Sequence, residues 1–215
     1  MVTPSFRRRF LPWVVLVLAG ALVLSGCSGG LTPPAAVVNG TGITQGALSE
    51  LLREQLTDPR AAAQASGPGG EAFRQDLTRQ LLGYLIHLQV VRAYATGHHI
   101  RPAPGDVSTG LRLLVRQVGG QATFERVLRQ RTLTLAEVRE NLSENLLFQR
   151  VERDVVTRLG GQAALTNQAR ATQVFTGWLV GELRRGSVQV NPRFGVLDAT
   201  KGSVAPLDST QLLTG

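Results

Sequence analysis

The residues that most often carry chemistry are scarce in this 215-residue chain, which has one cysteine and three histidines. His98 and His99 are adjacent, so their side chains generally point apart, and Asp106 is the only acid close to them in the sequence. His87 stands alone within a helical pattern. A zinc site normally takes three or four Cys, His or carboxylate ligands. We therefore predict no metal site and no cofactor. We also expect no catalytic residues, because no serine lies in a G-x-S-x-G or S-x-x-K motif with the strand-to-helix context that such motifs need.

Cys27 follows a segment with the pattern of an export signal. Residues 1–9 contain three consecutive arginines and no acid, and residues 10–24 are almost continuously apolar. As a helix this apolar run would rise about 22 Å, less than the roughly 30 Å of a bilayer core. Small residues then precede the cysteine, as at a cleavage site. We predict a signal peptide over residues 1–26; an uncleaved anchor is the alternative.

The four residues Leu24-Ser25-Gly26-Cys27 resemble the lipobox of bacterial lipoproteins. In that class the cysteine thiol receives diacylglycerol, and the chain is then cleaved in front of it. The resemblance implies an acylated, palmitate-bearing Cys27 and an extracytoplasmic protein anchored to the bacterial cell membrane. Residues 7–11 also resemble the twin-arginine export pattern, so the sequence leaves the export route open between this pathway and general secretion.

The formal net charge of +8 suggests a nucleic-acid-binding protein at first sight. Removal of the signal peptide takes away three arginines and no acid, which lowers the charge to +5. The remaining arginines are spread along predicted helices rather than clustered, and exported proteins rarely meet nucleic acid. We therefore predict no nucleic-acid partner and a surface that faces an anionic membrane or envelope.

The mature chain reads as a tether, a folded domain and a tail. Residues 27–35 are rich in turn formers and predict a tether of about 15–25 Å. Asn39-Gly40 predicts the turn of a short hairpin at the start of a domain over residues 36–198. Residues 187–190 alternate as a third strand would, and the polar tail over residues 199–215 is expected to be poorly ordered.

Apolar residues at steps of three and four predict a mainly helical domain. Thr134 and Glu137 have the spacing of a capping box at one helix start. Residues 60–70 contain four glycine or proline residues in a row and predict a mobile loop with a frayed helical start. The predicted helices lie at about residues 45–56, 71–96, 103–118, 121–130, 134–159 and 163–185.

Several of these pieces resemble, in order and spacing, the N-terminal chaperone domain of the SurA and PrsA family of exported folding factors. The resemblance rests on Val37-Val38-Asn39-Gly40 with Ile43-Thr44, on Gly119-Gly120 with Phe124, Leu128 and Thr134 to Arg139, and on Val188 to Gly195. It implies a mainly α, SurA-N-like helical domain with a small β-sheet formed by the N-terminal hairpin and a C-terminal strand. Many members insert a parvulin prolyl-isomerase domain before the final helix, but here only residues 160–162 separate the two helices, which leaves no room for it.

The resemblance implies a membrane-tethered chaperone that binds unfolded or newly exported polypeptides without catalysis. Four aromatic residues could line a client-binding groove: Trp178, Phe175, Phe148 and Tyr84. For each residue taken singly, we favour packing in the core over a role in such a groove. The alternative function is a structural or envelope-binding lipoprotein with one specific partner.

Overall fold

The computed structural model describes residues 32–130 and 133–207. The predicted signal peptide, the lipobox with Cys27 and most of the predicted tether lie outside these residues, as do residues 208–215 of the predicted tail. From Pro33 onward the described residues belong to one compact unit. All structural statements below concern the described part of the chain.

Seven α-helices make up most of the described chain. They are α1 (Gln45–Gln55), α2 (Pro59–Ser66), α3 (Gly70–Gly97), α4 (Pro104–Gln117), α5 (Gln121–Gln130), α6 (Leu135–Gly160) and α7 (Gln168–Arg185). A short 3-10 turn over Gln162–Thr166 joins α6 directly to α7. The predicted helices are thus confirmed with small shifts at their ends, and the mainly helical class is confirmed.

The prediction of a mobile loop over residues 60–70 is wrong, because most of this segment forms α2. Asp58 caps the helix by accepting hydrogen bonds from the backbone N–H groups of Arg60 and Ala61, at 2.8 and 3.2 Å. Proline at the first helical position costs nothing, since that N–H has no intrahelical partner. The glycines that suggested a loop lie after the helix, in the turn that leads to α3.

The two ends of the domain meet in one three-stranded antiparallel sheet. The central strand β1 (Ala36–Val38) pairs with β2 (Thr41–Ile43) on one side and with β3 (Val188–Val190) on the other. Asn39 and Gly40 form the β1–β2 turn with φ of 50° and 81°, a region that these two residue types tolerate. The predicted pairing of the hairpin with a C-terminal strand is confirmed.

A second sheet, absent from the sequence-based prediction, follows the first. Strands β4 (Val196–Asp198) and β5 (Ser203–Ala205) form an antiparallel hairpin that packs on α3, with Val204 buried. Hydrogen bonds from Thr200 and Lys201 to the Asp198 carboxylate hold its turn and lower the pKa of that group to about 2. The expectation of a poorly ordered tail is therefore wrong for residues 199–205.

The core lies between α3, α6, α7 and β1. Its largest fully buried side chains are Leu48, Leu82, Ile86, Val38, Val91, Val151, Val155 and Val156. Ala35, which the sequence placed at the end of the tether, is also fully buried, and its N–H donates to the carbonyl of Ile43 at 2.7 Å. The folded domain therefore begins slightly before residue 36.

Candidate functional site

Three of the four aromatic residues predicted to line a groove lie together: Phe175 and Trp178 are in the core, and the partly buried Phe148 packs against it. The ring of Phe175 is 5.2 Å from that of Phe148, which it meets edge to face, and 5.2 Å from that of Trp178, to which it is tilted. Phe175 and Trp178 are only 7% and 8% exposed. Their surroundings are those of core packing, so the structure does not support an open groove at these two residues.

Tyr94 completes this aromatic cluster, and the sequence analysis missed it. Its ring lies 5.0 Å from that of Trp178, and its hydroxyl donates a hydrogen bond of 2.8 Å to the carboxylate of Asp154 on α6. Burial, together with the hydrogen bond to this carboxylate, raises the pKa of Tyr94 to about 12. The cluster thus fixes α3 against α6 and α7.

Tyr84, the fourth candidate, lies apart from the cluster and is 53% exposed. Its neighbour in α3, Gly83, is buried under β5, whereas the Tyr84 side chain is exposed. The structure therefore does not bring the four predicted residues together on one surface.

An apolar surface does exist on a part of the domain that sequence reasoning did not single out. We call residues 104–130 and 133–148 the arm; they comprise α4, α5 and the first half of α6. In the arm α4 buries no residue and α5 buries only Phe124. Most apolar side chains of the arm are only half-buried: Leu111, Leu114, Val115, Val118, Val127, Leu128, Val138, Leu142 and Leu146.

Helices α4 and α6 run antiparallel in the arm. Gly110 packs against the side chain of Leu142, and Arg150 forms an ion pair with Asp106 four residues earlier in α4. The later part of α4 therefore lies beside the start of α6, which places Leu113 and Leu135 toward the same end of the arm. Their exposed fractions are 47% and 39%.

We call this end of the arm the arm tip and define it by Leu113 and Leu135 with the exposed arginines Arg112, Arg116 and Arg139. It combines apolar contact area with a small excess of positive charge, since the exposed acids Glu137 and Glu140 lie beside Arg139. The apolar residues of α4 occupy more of its circumference than one neighbouring helix can cover, and this pattern could have identified the surface from the sequence.

A cavity of about 280 Å³ lies beside Tyr94 of the aromatic cluster, near the C-terminal ends of α3 and α7. Tyr94, His98, Glu182 and Asn39 contribute side chains to its wall. The His98 ring lies 4.0 Å from that of Tyr94, whereas His99, with a φ of 55°, does not line the cavity. Among residues 32–130 and 133–207, no three His, Cys, Asp or Glu residues are grouped closely enough to hold a metal ion.

The described residues form a helical domain in which one small sheet joins the two ends of the domain. The family model of the SurA-like N-terminal domain matches residues 5–152, and the chain belongs to this family. The family is associated with chaperone-like function, its domain is of a non-catalytic type, and such domains are extracytoplasmic. The match ends within α6, so α7 and strands β3 to β5 lie beyond it.

A comparison with curated proteins finds no match. None of the helices in the described ranges combines the length and the apolar character that a membrane span needs.

Proposed function

We propose that this protein is a membrane-tethered chaperone without catalytic activity, which binds unfolded or newly exported polypeptides at its arm tip. The observation that carries the proposal is the pair of exposed leucines, Leu113 at 47% and Leu135 at 39%, on a helical arm that buries almost nothing in the core. Exposed apolar surface in a soluble domain commonly marks a site of interaction. Membership of a family with chaperone-like function indicates the kind of partner.

The size of this surface suits a transient partner. Burying a leucine side chain completely contributes about 1.5–3 kcal/mol, so two leucines that are already about half covered can contribute about 2 kcal/mol together. A chaperone must release its clients, and a weak, non-directional apolar contact allows release and tolerates many sequences. The three arginines of the arm tip outnumber the exposed Glu137 and Glu140 beside them, which favours attraction to acidic client segments.

Acylation of Cys27 would hold this domain close to the membrane. The carbonyl oxygen of Pro33 accepts a hydrogen bond of 2.8 Å from the Gln45 side chain, and that of Pro34 accepts one of 3.2 Å from Asn191. The chain is therefore fixed to the domain from Pro33 onward. Five residues separate Cys27 from Pro33, and a stretch of this length spans at most about 20 Å.

The chaperone activity can be tested with the chain from Ser28 onward, since the described residues from Pro33 form one compact unit. We expect stoichiometric amounts to slow the aggregation of several chemically unfolded secretory proteins, as measured by light scattering. The double variant Leu113→Asn with Leu135→Asn should lose at least two thirds of this effect. Leu159→Asn is the matched control, because Leu159 is 64% exposed at the other end of α6. No effect of the unaltered chain on any client would contradict the proposal.

The partner range can be tested in cells with a photo-crosslinking amino acid at position 113 of the full-length protein. A spread of exported proteins among the crosslinked products supports the chaperone. A single dominant product would instead support the alternative, a structural or envelope-binding lipoprotein with one specific partner. A crosslinker at position 159 controls for proximity without binding.

The lipid anchor is tested by metabolic labelling with palmitate. We expect label on the full-length protein and none on the Cys27→Ala variant, whose precursor should stay uncleaved at this site. Label that persists in the variant would contradict acylation of Cys27. Ser25→Ala, a change within the lipobox that keeps a small residue, is the control and should still be labelled.

A further inference from the structure

The cavity at the ends of α3 and α7 has the electrostatics of a cation site. Helix α3 ends at Gly97 with His98 as its C-cap, and α7 ends at Arg185 with Gly186 as its C-cap. Gly97, His98 and Gly186 all contribute to the cavity wall, so two helix C-termini converge on it. A helix C-terminus carries about half a unit of negative charge from its aligned peptide dipoles.

The side chains in the wall add to this negative potential. Glu182 is the only Asp, Glu, Lys or Arg that lines the cavity. The chain as a whole carries an excess of basic residues, but the electrostatic potential at this cavity is negative.

We propose that this cavity binds one basic side chain, lysine or arginine, of a client polypeptide. The inference rests on the proposed function and specifies which client segments the domain prefers. The volume of about 280 Å³ lies just below the range of about 300–1,000 Å³ for small-molecule pockets, so it suits a single long side chain. The methylene groups of that side chain would lie against Val90, Ala93 and Val188, and its charge would lie near Glu182.

Glu182 forms an ion pair with Arg185, and an incoming basic side chain would have to displace this arginine. Its Nη2 atom lies 2.6 Å from the Glu182 carboxylate, but its side chain is 67% exposed and folds back along its own helix beside Gly181. Exposed ion pairs of this kind contribute about 0–1 kcal/mol, so an incoming cation can replace the arginine. Removal of Arg185 should therefore strengthen binding, which is an unusual outcome for the loss of a surface charge.

The proposal can be tested by NMR on the full-length protein in detergent micelles, with the histidine rings labelled with carbon-13. The probe is N-acetyl-lysine amide, and N-acetyl-norleucine amide is the uncharged control, which has the same four side-chain carbons and lacks only the terminal amine. We expect the lysine probe to shift the His98 ring resonance in a saturable way and the norleucine probe to bind at least tenfold more weakly. His99 serves as the internal control, because it does not line the cavity, and His98→Gln assigns the signal.

Two variants test the electrostatic assignment. Glu182→Gln keeps the shape of the side chain and should weaken binding of the lysine probe at least fivefold, while Glu50→Gln, on the exposed surface of α1, should leave it unchanged. Arg185→Ala should strengthen binding about twofold or more, and Arg53→Ala should not.

Equal responses to lysine and norleucine would overturn the proposal, as would no response to either probe or no effect of Glu182→Gln. A stronger response to alanine amide, whose free amine is the α-amine, would overturn the assignment to a side chain. These results are independent of the chaperone proposal, because the titration needs no client. Failure of the aggregation assay therefore leaves this site testable by itself.

Discussion

The Nε2 atom of His87 lies 2.6 Å from the carbonyl oxygen of Gly202, a residue 115 positions later in the chain. Because a carbonyl oxygen can only accept, Nε2 must carry the hydrogen and donate it. A Cβ atom added to Gly202 would lie 3.4 Å from the Leu183 side chain and 3.5 Å from that of Val180, so the turn runs close to these apolar residues of α7. The turn between β4 and β5 is therefore held in the angle between α3 and α7 by one polar contact and several apolar ones.

This contact predicts a dependence of stability on pH near neutrality. Burial lowers the pKa of His87 below its usual 6.5, and the hydrogen bond to Gly202 offsets only part of that effect. The unfolded chain therefore binds a proton before the folded one as the pH falls, so His87 contributes stability above about pH 6.5 that is lost below it. We expect the melting temperature to fall between pH 7.5 and 5.5, and the fall to be smaller in His87→Gln.

His99→Gln is the control for this measurement, since the exposed His99 should leave the slope unchanged. The pKa values of four carboxylates, those of Glu71, Asp106, Glu137 and Asp198, are lowered, so these groups lose their stabilising interactions only in more acidic solution. An identical pH slope in His87→Gln and the unaltered protein would show that this histidine does not couple stability to pH.

Elements of the fold could be predicted from the sequence where the residues that determine them are close together in the chain. The apolar stripe over residues 71–96 specified α3 almost to its ends, and Asn39-Gly40 specified the β1–β2 turn, because both signals lie within a few neighbouring residues. The β4–β5 hairpin could not be found in this way. Its strands have three residues each, and their stability comes from packing on α3, about a hundred residues earlier.

The candidate site was harder to predict for a related reason. The stripe that contains Phe175 and Trp178 has the same spacing whether it lines a groove or a core, and the difference depends on α3 and α6 covering it. The cavity requires Asn39, Tyr94 and Glu182 to meet from three distant parts of the chain. Only the arm carried a local signal, in the excess of apolar residues on α4.

Glycine at position 195 is required by the backbone that leads into β4. Its φ is 129°, and an added Cβ atom would overlap the carbonyl oxygen of Ala205 in β5. Gly195→Ala should therefore destabilise the protein by at least about 1–3 kcal/mol, the usual range for a strained backbone position. Gly177→Ala in the exposed middle of α7 meets nothing within 4 Å and should stabilise by about 0.5–1 kcal/mol. Urea unfolding of both variants measures the contrast, and equal effects would contradict it.

Substitution by alanine should lower the free energy of unfolding much more at Trp178 than at Tyr84. Trp178 is 8% exposed within the aromatic cluster, so Trp178→Ala should cost about 3–5 kcal/mol. Tyr84 is 53% exposed, and Tyr84→Ala should change stability by less than about 0.5 kcal/mol. A Trp178→Ala variant that keeps its stability but no longer slows client aggregation would place this residue in a client-binding groove after all.

Thr134 controls the start of α6, and with it the order of the arm tip. Its Oγ1 atom accepts from the N–H of Glu137 at 3.2 Å, and the Glu137 carboxylate accepts from the Thr134 N–H at 2.6 Å, a bond that lowers the pKa of Glu137. Loss of such a cap costs about 1 kcal/mol. Because the arm contributes little to the core, we expect this cost to appear as local opening rather than global unfolding.

Hydrogen exchange of the Thr134→Ala variant should therefore accelerate about fivefold, the equivalent of 1 kcal/mol, at the amides of residues 137–140. The amides of α3 around Ile86, which is fully buried, should keep their protection. Thr134→Ser retains the capping hydroxyl and should exchange like the unaltered protein. If all amides accelerate together, the arm opens only with the whole domain, and its tip cannot adapt to a client independently of the core.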